Sequence, residues 1–268
     1  MNKEKVTTKT LQAKKVAKEK ITMLTAYDYP TAKMIDEAGI DVILVGDSLG
    51  MVVLGYDDTL AVTIGDMIHH TKAVTRGATD TLVVTDMPFM SYKTGKINLT
   101  VQNAGRIMKE SGAQAVKMEG GSEIVAEVEA TINAGIPVMG HLGLTPQSVN
   151  QFGGFKVQGK TEKAAQELLE DARELEEAGV FALVLECIPA RLASLVTEEL
   201  TIPTIGIGAG KGCDGQVLVT QDMLGIFGDF TPKFVRKYAK LNQRIISAFK
   251  DYQNDVEEGS FPRKEESF

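Results

Sequence analysis

The chain has 268 residues, a formal charge of -7 and 43% hydrophobic residues, with no Trp and only two cysteines. The length suits one α/β barrel, which uses about 250 residues. The acidic balance, with no offsetting Lys/Arg stripe, excludes non-specific nucleic-acid binding. No apolar stretch reaches the ~20 residues of a membrane span, the basic start lacks the apolar core of a secretory signal, and two thiols cannot build a four-Cys zinc site. A cytoplasmic, reduced protein is expected.

In chain order, strands are expected at Ile21–Ala26, Val42–Val45, Leu82–Thr85, Ala115–Met118, Pro137–Met139, Phe181–Leu185, Ile202–Ile207 and Gln216–Val219. Helices are expected at Asp28–Ala38, Thr63–Arg76 with Thr63 as N-cap, Leu99–Lys109, Ser122–Asn133, Thr161–Ala178, Arg191–Glu199 and Pro232–Ala248. Three helices end in Ala-Gly, at Gly39, Gly135 and Gly179, a C-cap pattern. Gly140–Gly159 is expected to be a long loop, rich in Gly, Gln and Pro, of a kind that serves as a lid. Seven or eight βα units in one run predict a single closed (β/α)8 domain, residues 1–268. A polar extension (about 1–20) precedes it and a charged tail (about 254–268) follows. A doubly wound sheet would carry a glycine fingerprint after its first strand, where this chain has Tyr27-Asp28-Tyr29-Pro30.

Five of the apolar runs end in a polar residue: Asp47, Asp86, Glu119, His141 and Glu186. In such a barrel the active site lies at the C-terminal ends of the strands. Asp47, Asp86 and Glu119 would then face one cavity and suit a hard divalent cation. The plainer reading of any one such Asp is a turn or helix cap; three at successive strand ends favour the ion. Lys117 shares a strand face with Glu119 and must pair with a charge inside a barrel, either a substrate anion or a neighbouring carboxylate. His141 could donate to a carboxylate or to a developing enolate, although a lone His is more often structural. His69-His70, inside a helix, reads as structural. Glu186, after Phe-Ala-Leu-Val-Leu, sits in an apolar setting suited to a general base or acid. Cys187 beside it invites a nucleophile, but nothing local would lower its pKa, so a buried, inert thiol is expected. Gly206-Ile-Gly208-Ala-Gly210-Lys211-Gly212 fails the Walker A template, with Ile205 and Gly212 at its Gly and Ser/Thr positions. Lys211 likewise breaks the dinucleotide fingerprint.

Together the segments around Gly46-Asp47-Ser48-Leu49-Gly50, Asp86-Met87-Pro88-Phe89-Met90-Ser91-Tyr92, Val116-Lys117-Met118-Glu119-Gly120-Gly121, Gly140-His141-Leu142-Gly143-Leu144-Thr145-Pro146-Gln147, Gly153-Gly154-Phe155 and Leu185-Glu186-Cys187-Ile188-Pro189 resemble the ketopantoate hydroxymethyltransferase family, in its order, from about Thr25 to Lys237. The resemblance implies a (β/α)8 TIM barrel of the phosphoenolpyruvate/pyruvate type and a homo-oligomer, a decamer. It implies transfer of a hydroxymethyl group from 5,10-methylenetetrahydrofolate to 2-oxoisovalerate, with Mg²⁺. By position, Asp47, Asp86 and Glu119 match the family's metal site, and Asp47, Ser48, Asp86 and Lys117 its oxo-acid contacts. Glu186 matches its proton acceptor and His141 an active-site histidine. Two rivals stand beside it: a Mg²⁺-dependent 2-oxo acid lyase of the same barrel group, and a non-catalytic phosphate-binding module on the Gly206–Gly212 loop. Such lyases commonly carry a catalytic-Cys loop of Lys-Lys-Cys-Gly-His type, which this chain lacks.

Overall fold

Alternation along short apolar runs builds the molecule. In the computed structural model, which describes residues 5–226 and 231–268, even-numbered Val42, Leu44, Leu82 and Val84 face one apolar cluster. Odd-numbered Ile43, Val45 and Val83 face another. Period-two alternation between two dry faces is what a parallel strand needs when both its sides are covered. Each such Val, Leu or Ile contributes roughly 1.5–3 kcal/mol on burial.

The elements run α1 (Thr8–Ala17), β1 (Ile21–Thr25), α2 (Tyr29–Ala38), β2 (Val42–Val45), α3 (Leu49–Val52), α4 (Ile64–Gly77), β3 (Leu82–Asp86), α5 (Ile97–Ser111) and β4 (Ala115–Glu119). They continue α6 (Val125–Asn133), β5 (Val138–Gly143), α7 (Val149–Phe152), α8 (Glu162–Glu177), β6 (Ala182–Glu186), α9 (Ala190–Glu199), β7 (Thr204–Ile207), β8 (Gly215–Leu218), α10 (Thr220–Met223) and α11 (Leu241–Glu257). The eight strands close in sequence order, β1 pairing with β8. Internal packing divides the chain into a barrel unit ending at Val219 and a C-terminal unit from Thr220.

The barrel interior holds Ile21, Met23, Leu44, Val84, Ala115, Met139, Ala182, Val184, Ile205 and Val217. The outward strand faces pack on the helices, as where Val116, Val138, Leu183 and Leu185 meet Ile107, Val128, Leu175 and Val196. Thr63 caps α4 reciprocally with Asp66, as the sequence predicts. Gly39, Gly135 and Gly179 all have positive φ at the ends of their helices.

Three stretches differ from the sequence expectation. The polar extension forms α1, capped by Thr7. Its Leu11 is fully buried in the interior cluster, Lys14 pairs with Asp41 at 2.5 Å and Lys15 with Asp214 at 2.8 Å. Gln12 Nε2 donates to Thr201 O, and Val6 N to Asp80 O. All four partners lie at the N-terminal ends of strands, so α1 lies across that mouth. β5 runs on through Gly143, because pairing of Glu119 with His141 and of Gly143 with Glu186 overrides a turn-like Gly-His-Leu-Gly. The loop after it holds a 3-10 turn (Pro146–Ser148) and α7. In the C-terminal unit α11 starts at Leu241 and reaches Glu257, not 232–248, since Ile245, Phe249, Tyr252 and Val256 continue the helical spacing.

Candidate active site

The interior changes chemistry along its length. Two residues beyond Val84 on the same face comes Asp86; beyond Ala115 come Lys117 and Glu119; beyond Met139, His141; beyond Val184, Glu186. Register sets Asp86 beside Lys117 and Glu119 beside His141. Asp47 follows β2 and joins them, and one carboxylate oxygen each from Asp47, Asp86 and Glu119 lie within 4.8 Å of one another.

All three acids are buried, as are Lys117 and His141. Lys117 Nζ lies 3.0 Å from Asp86 Oδ1, 3.5 Å from Glu119 Oε1 and 3.1 Å from His141 Nδ1. Asp86 Oδ2 accepts from Asp47 N at 3.0 Å, whereas Asp86 Oδ1 has no hydrogen bond of good geometry. His141 Nε2 is 3.3 Å from Glu186 Oε2, too poorly aligned for a hydrogen bond, and Nδ1 is 3.4 Å from Glu119 Oε1. Ser48 Oγ lies 2.8 Å from the Tyr27 hydroxyl.

Electrostatics separate these groups. Burial, with Glu119 and Asp86 alongside, holds Asp47 well above the usual carboxylate range. Burial raises Asp86 as well, against the pull of Lys117. Burial acts the same way on Glu119, but Lys117 and His141 outweigh it and bring it down to about 2. Burial disfavours the Lys117 cation, yet Asp86, Glu119 and Asp47 outweigh that and keep it charged. Burial and Lys117 both lower His141, but Glu119 and Glu186 outweigh them and raise it. In the neutral ring Nδ1 accepts from Lys117; in the protonated ring, which the carboxylates favour, it donates to Glu119.

With all three acids ionised (-3) and one ammonium (+1), Asp47, Asp86, Glu119 and Lys117 carry a net -2. That charge and an all-oxygen donor set fit a hard divalent cation.

Sequence reasoning missed three residues. Gln147 Nε2 donates to Asp47 Oδ2 at 2.8 Å, and Tyr92 and Tyr27 sit buried against the cluster. Gln147 had a signal in Leu-Thr-Pro-Gln, but it stands in a segment that reads as loop. The other flagged residues take structural places, except that Cys187 is not the buried thiol expected. His70 Nδ1 bonds Tyr27 O at 2.7 Å, away from the carboxylates. Cys187 is half-buried and burial, with Glu186 beside it, pushes its thiol up to about 11. The Gly206–Gly212 loop is held by Gln216 Nε2 donating to Gly210 O.

Fold and site together define a (β/α)8-barrel enzyme with a buried carboxylate cluster able to hold a metal ion. The family model described as ketopantoate hydroxymethyltransferase matches residues 5–264. The 3-methyl-2-oxobutanoate hydroxymethyltransferases of Clostridium novyi and Enterococcus faecalis are each 62% identical over 264 residues, 98% of this chain and 96% of theirs. The chain belongs to the ketopantoate hydroxymethyltransferase family and is a transferase. Among solved structures, phosphonopyruvate hydrolase in complex with oxalate and Mg²⁺ superposes with a TM-score of 0.63 at 12% identity, covering 97% of this chain and 93% of that one. The 2,3-dimethylmalate lyase, of the PEP mutase/isocitrate lyase superfamily, gives 0.58 at 15%, covering 97% and 91%. At these identities the likeness concerns the fold alone, a closed (β/α)8 barrel.

Proposed function

We propose that this chain transfers a hydroxymethyl group from 5,10-methylenetetrahydrofolate to 2-oxoisovalerate, giving ketopantoate, the first committed step of pantothenate synthesis. The observation that carries the reading is the buried Asp47–Asp86–Glu119 cluster with Lys117 inside it, in a chain of this family. Asp47, Asp86 and Glu119 would hold Mg²⁺, which when bound supplies Lewis-acid polarisation of a 2-oxo acid.

Lys117, charged and desolvated, stabilises the negative charge that develops on the keto oxygen. Ser48, with Asp47 and Asp86, orients the oxo acid. Glu186 takes the proton from C3, leaving the enolate. His141 Nε2 faces the Glu186 carboxylate and steadies it as it gains and loses that proton. The enolate carbon then bonds to the folate methylene carbon as one of its two C–N bonds opens, that nitrogen receiving the proton held by Glu186. Water replaces the second C–N bond, its oxygen becoming the hydroxyl and its proton passing to the other nitrogen, and tetrahydrofolate leaves. The loop after β5 would close over the reactants and exclude bulk water. All these residues belong to the barrel, which we take as the working part of one catalytic domain. The same reading places the enzyme in the cytoplasm as a homo-oligomer, a decamer. No helix among the described residues is long and apolar enough to cross a membrane.

A coupled assay for ketopantoate from 2-oxoisovalerate and methylenetetrahydrofolate, with and without Mg²⁺, tests the activity. Mg²⁺-dependent product is expected. No product under either condition would overturn it.

A further inference from the structure

Gln147, in the 3-10 turn of the loop after β5, is buried and contributes to four hydrogen bonds. Its Nε2 donates to Asp47 Oδ2 at 2.8 Å and to Met87 O at 2.9 Å. Its Oε1 accepts from the Tyr92 hydroxyl at 2.8 Å, and its backbone N donates to Glu119 Oε2 at 3.2 Å. One residue thus grips two of the three clustered carboxylates, one by side chain and one by backbone. The third, Asp86, is tied to Asp47 N.

The chemistry demands an amide here. Nε2 faces two acceptors and Oε1 faces a hydroxyl, so a flipped amide would set oxygen against oxygen. A glutamate would lose both donors and press another anion on Asp47. Tyr92 fixes the amide in turn: its hydroxyl receives Glu119 N at 3.0 Å and lies 3.0 Å from Glu119 O. Burial keeps that phenol protonated, so it stays a donor.

We propose that Gln147 is a positioning residue. It locks the Asp47 and Glu119 carboxylates into one cation-binding geometry and fastens the loop after β5 to that geometry, with Tyr92 holding its amide. The proposal rests on the divalent-cation reading of the cluster. The far end of the same segment is fastened too, Gln158 N donating to Cys187 O at 3.0 Å, next to Glu186. Residues 148–157 therefore hang between one anchor on the acidic cluster and one beside the base.

Mn²⁺ titration of the full chain, followed by calorimetry or by its electron-spin signal, tests this without turnover. Gln147→Met keeps the length and removes the polar atoms. Its Mn²⁺ dissociation constant is expected to rise about 10–100-fold, the usual effect of losing a group that orients a metal ligand. Tyr92→Phe, which leaves Gln147 in place, should show a smaller rise, about 3–10-fold, on the same grounds. A purely packing role would lower the unfolding temperature and leave the Mn²⁺ constant of the folded protein within about twofold of the parent, and that result overturns the proposal. If Gln147→Met does not fold, Tyr92→Phe decides by the same criterion. If the unsubstituted chain binds no Mn²⁺, the cation reading fails and the role of Gln147 falls with it.

Discussion

Glu186 and Cys187 are neighbours with opposite fates. The first faces the histidine inside the barrel. The second takes a left-handed backbone, φ 48°, uncommon for a residue with a side chain, at the point where the chain turns out of β6. Glu186→Gln should bind Mn²⁺ as the parent does and lose about 10²- to 10⁴-fold in kcat, the range for removing a general base. Cys187→Ala should keep its turnover. Since its thiol titrates near 11, alkylation of Cys187 should be slow at neutral pH and accelerate as pH rises toward that value; rapid neutral modification would contradict the inert assignment. At this scale the sequence showed what ends a strand but not what reaches across. Asp86, Lys117, Glu119, His141 and Glu186 were legible because period two carries an interior face out to the strand end; Asp47, one residue out of that phase, was legible as the polar end of its apolar run. Tyr92 and Gln147 were not, because they enter from loops whose path depends on the closed barrel.

Among the elements, α1 and β5 carry the largest surprises. α1 presents one deeply buried apolar residue, so its helical pattern is nearly silent in sequence, and its partners lie far along the chain. Leu11→Ala should cost about 2–5 kcal/mol, the range for emptying a buried leucine site, and leave Mn²⁺ affinity intact, which denaturant titration with and without the ion would read. Gly143 holds φ 95°, and a Cβ there would stand 2.2 Å from Glu186 O. Gly143→Ala should therefore lower both stability and kcat, since the strand end that presents the base must shift; unchanged kinetics would show that β6 tolerates the displacement. The long helices were legible because apolar spacing, caps and terminal glycines agreed. β5 was clipped because its last residues look like a turn until two neighbouring strands pair with them.

For the whole molecule the acidic cluster ties stability to pH and to metal. Asp47 and Asp86 have folded pKa values above their unfolded ones, so each of these two groups holds its proton to higher pH in the folded, metal-free protein than in the unfolded chain. Their contribution to stability is present at low pH and falls as pH rises through the folded values. Ion binding needs the deprotonated acids, so its affinity rises over that same interval. Chelator should therefore lower the unfolding temperature more at pH 8 than at pH 5. Restoring Mg²⁺ at about 100 times its dissociation constant should return about 2.7 kcal/mol, a few degrees in a domain of this size. Equal chelator effects at both pH values would argue against the cluster as the binding site.

α1 lies across the N-terminal mouth of the barrel, so on the proposed reaction the substrates would enter from the end where the acids lie. The acids are buried, so on the proposed reaction the small oxo acid that meets them would bind before the bulkier folate. Departure must run in reverse, tetrahydrofolate before ketopantoate. Steady-state kinetics should then be compulsory-order, with ketopantoate competing against 2-oxoisovalerate and tetrahydrofolate unable to leave last.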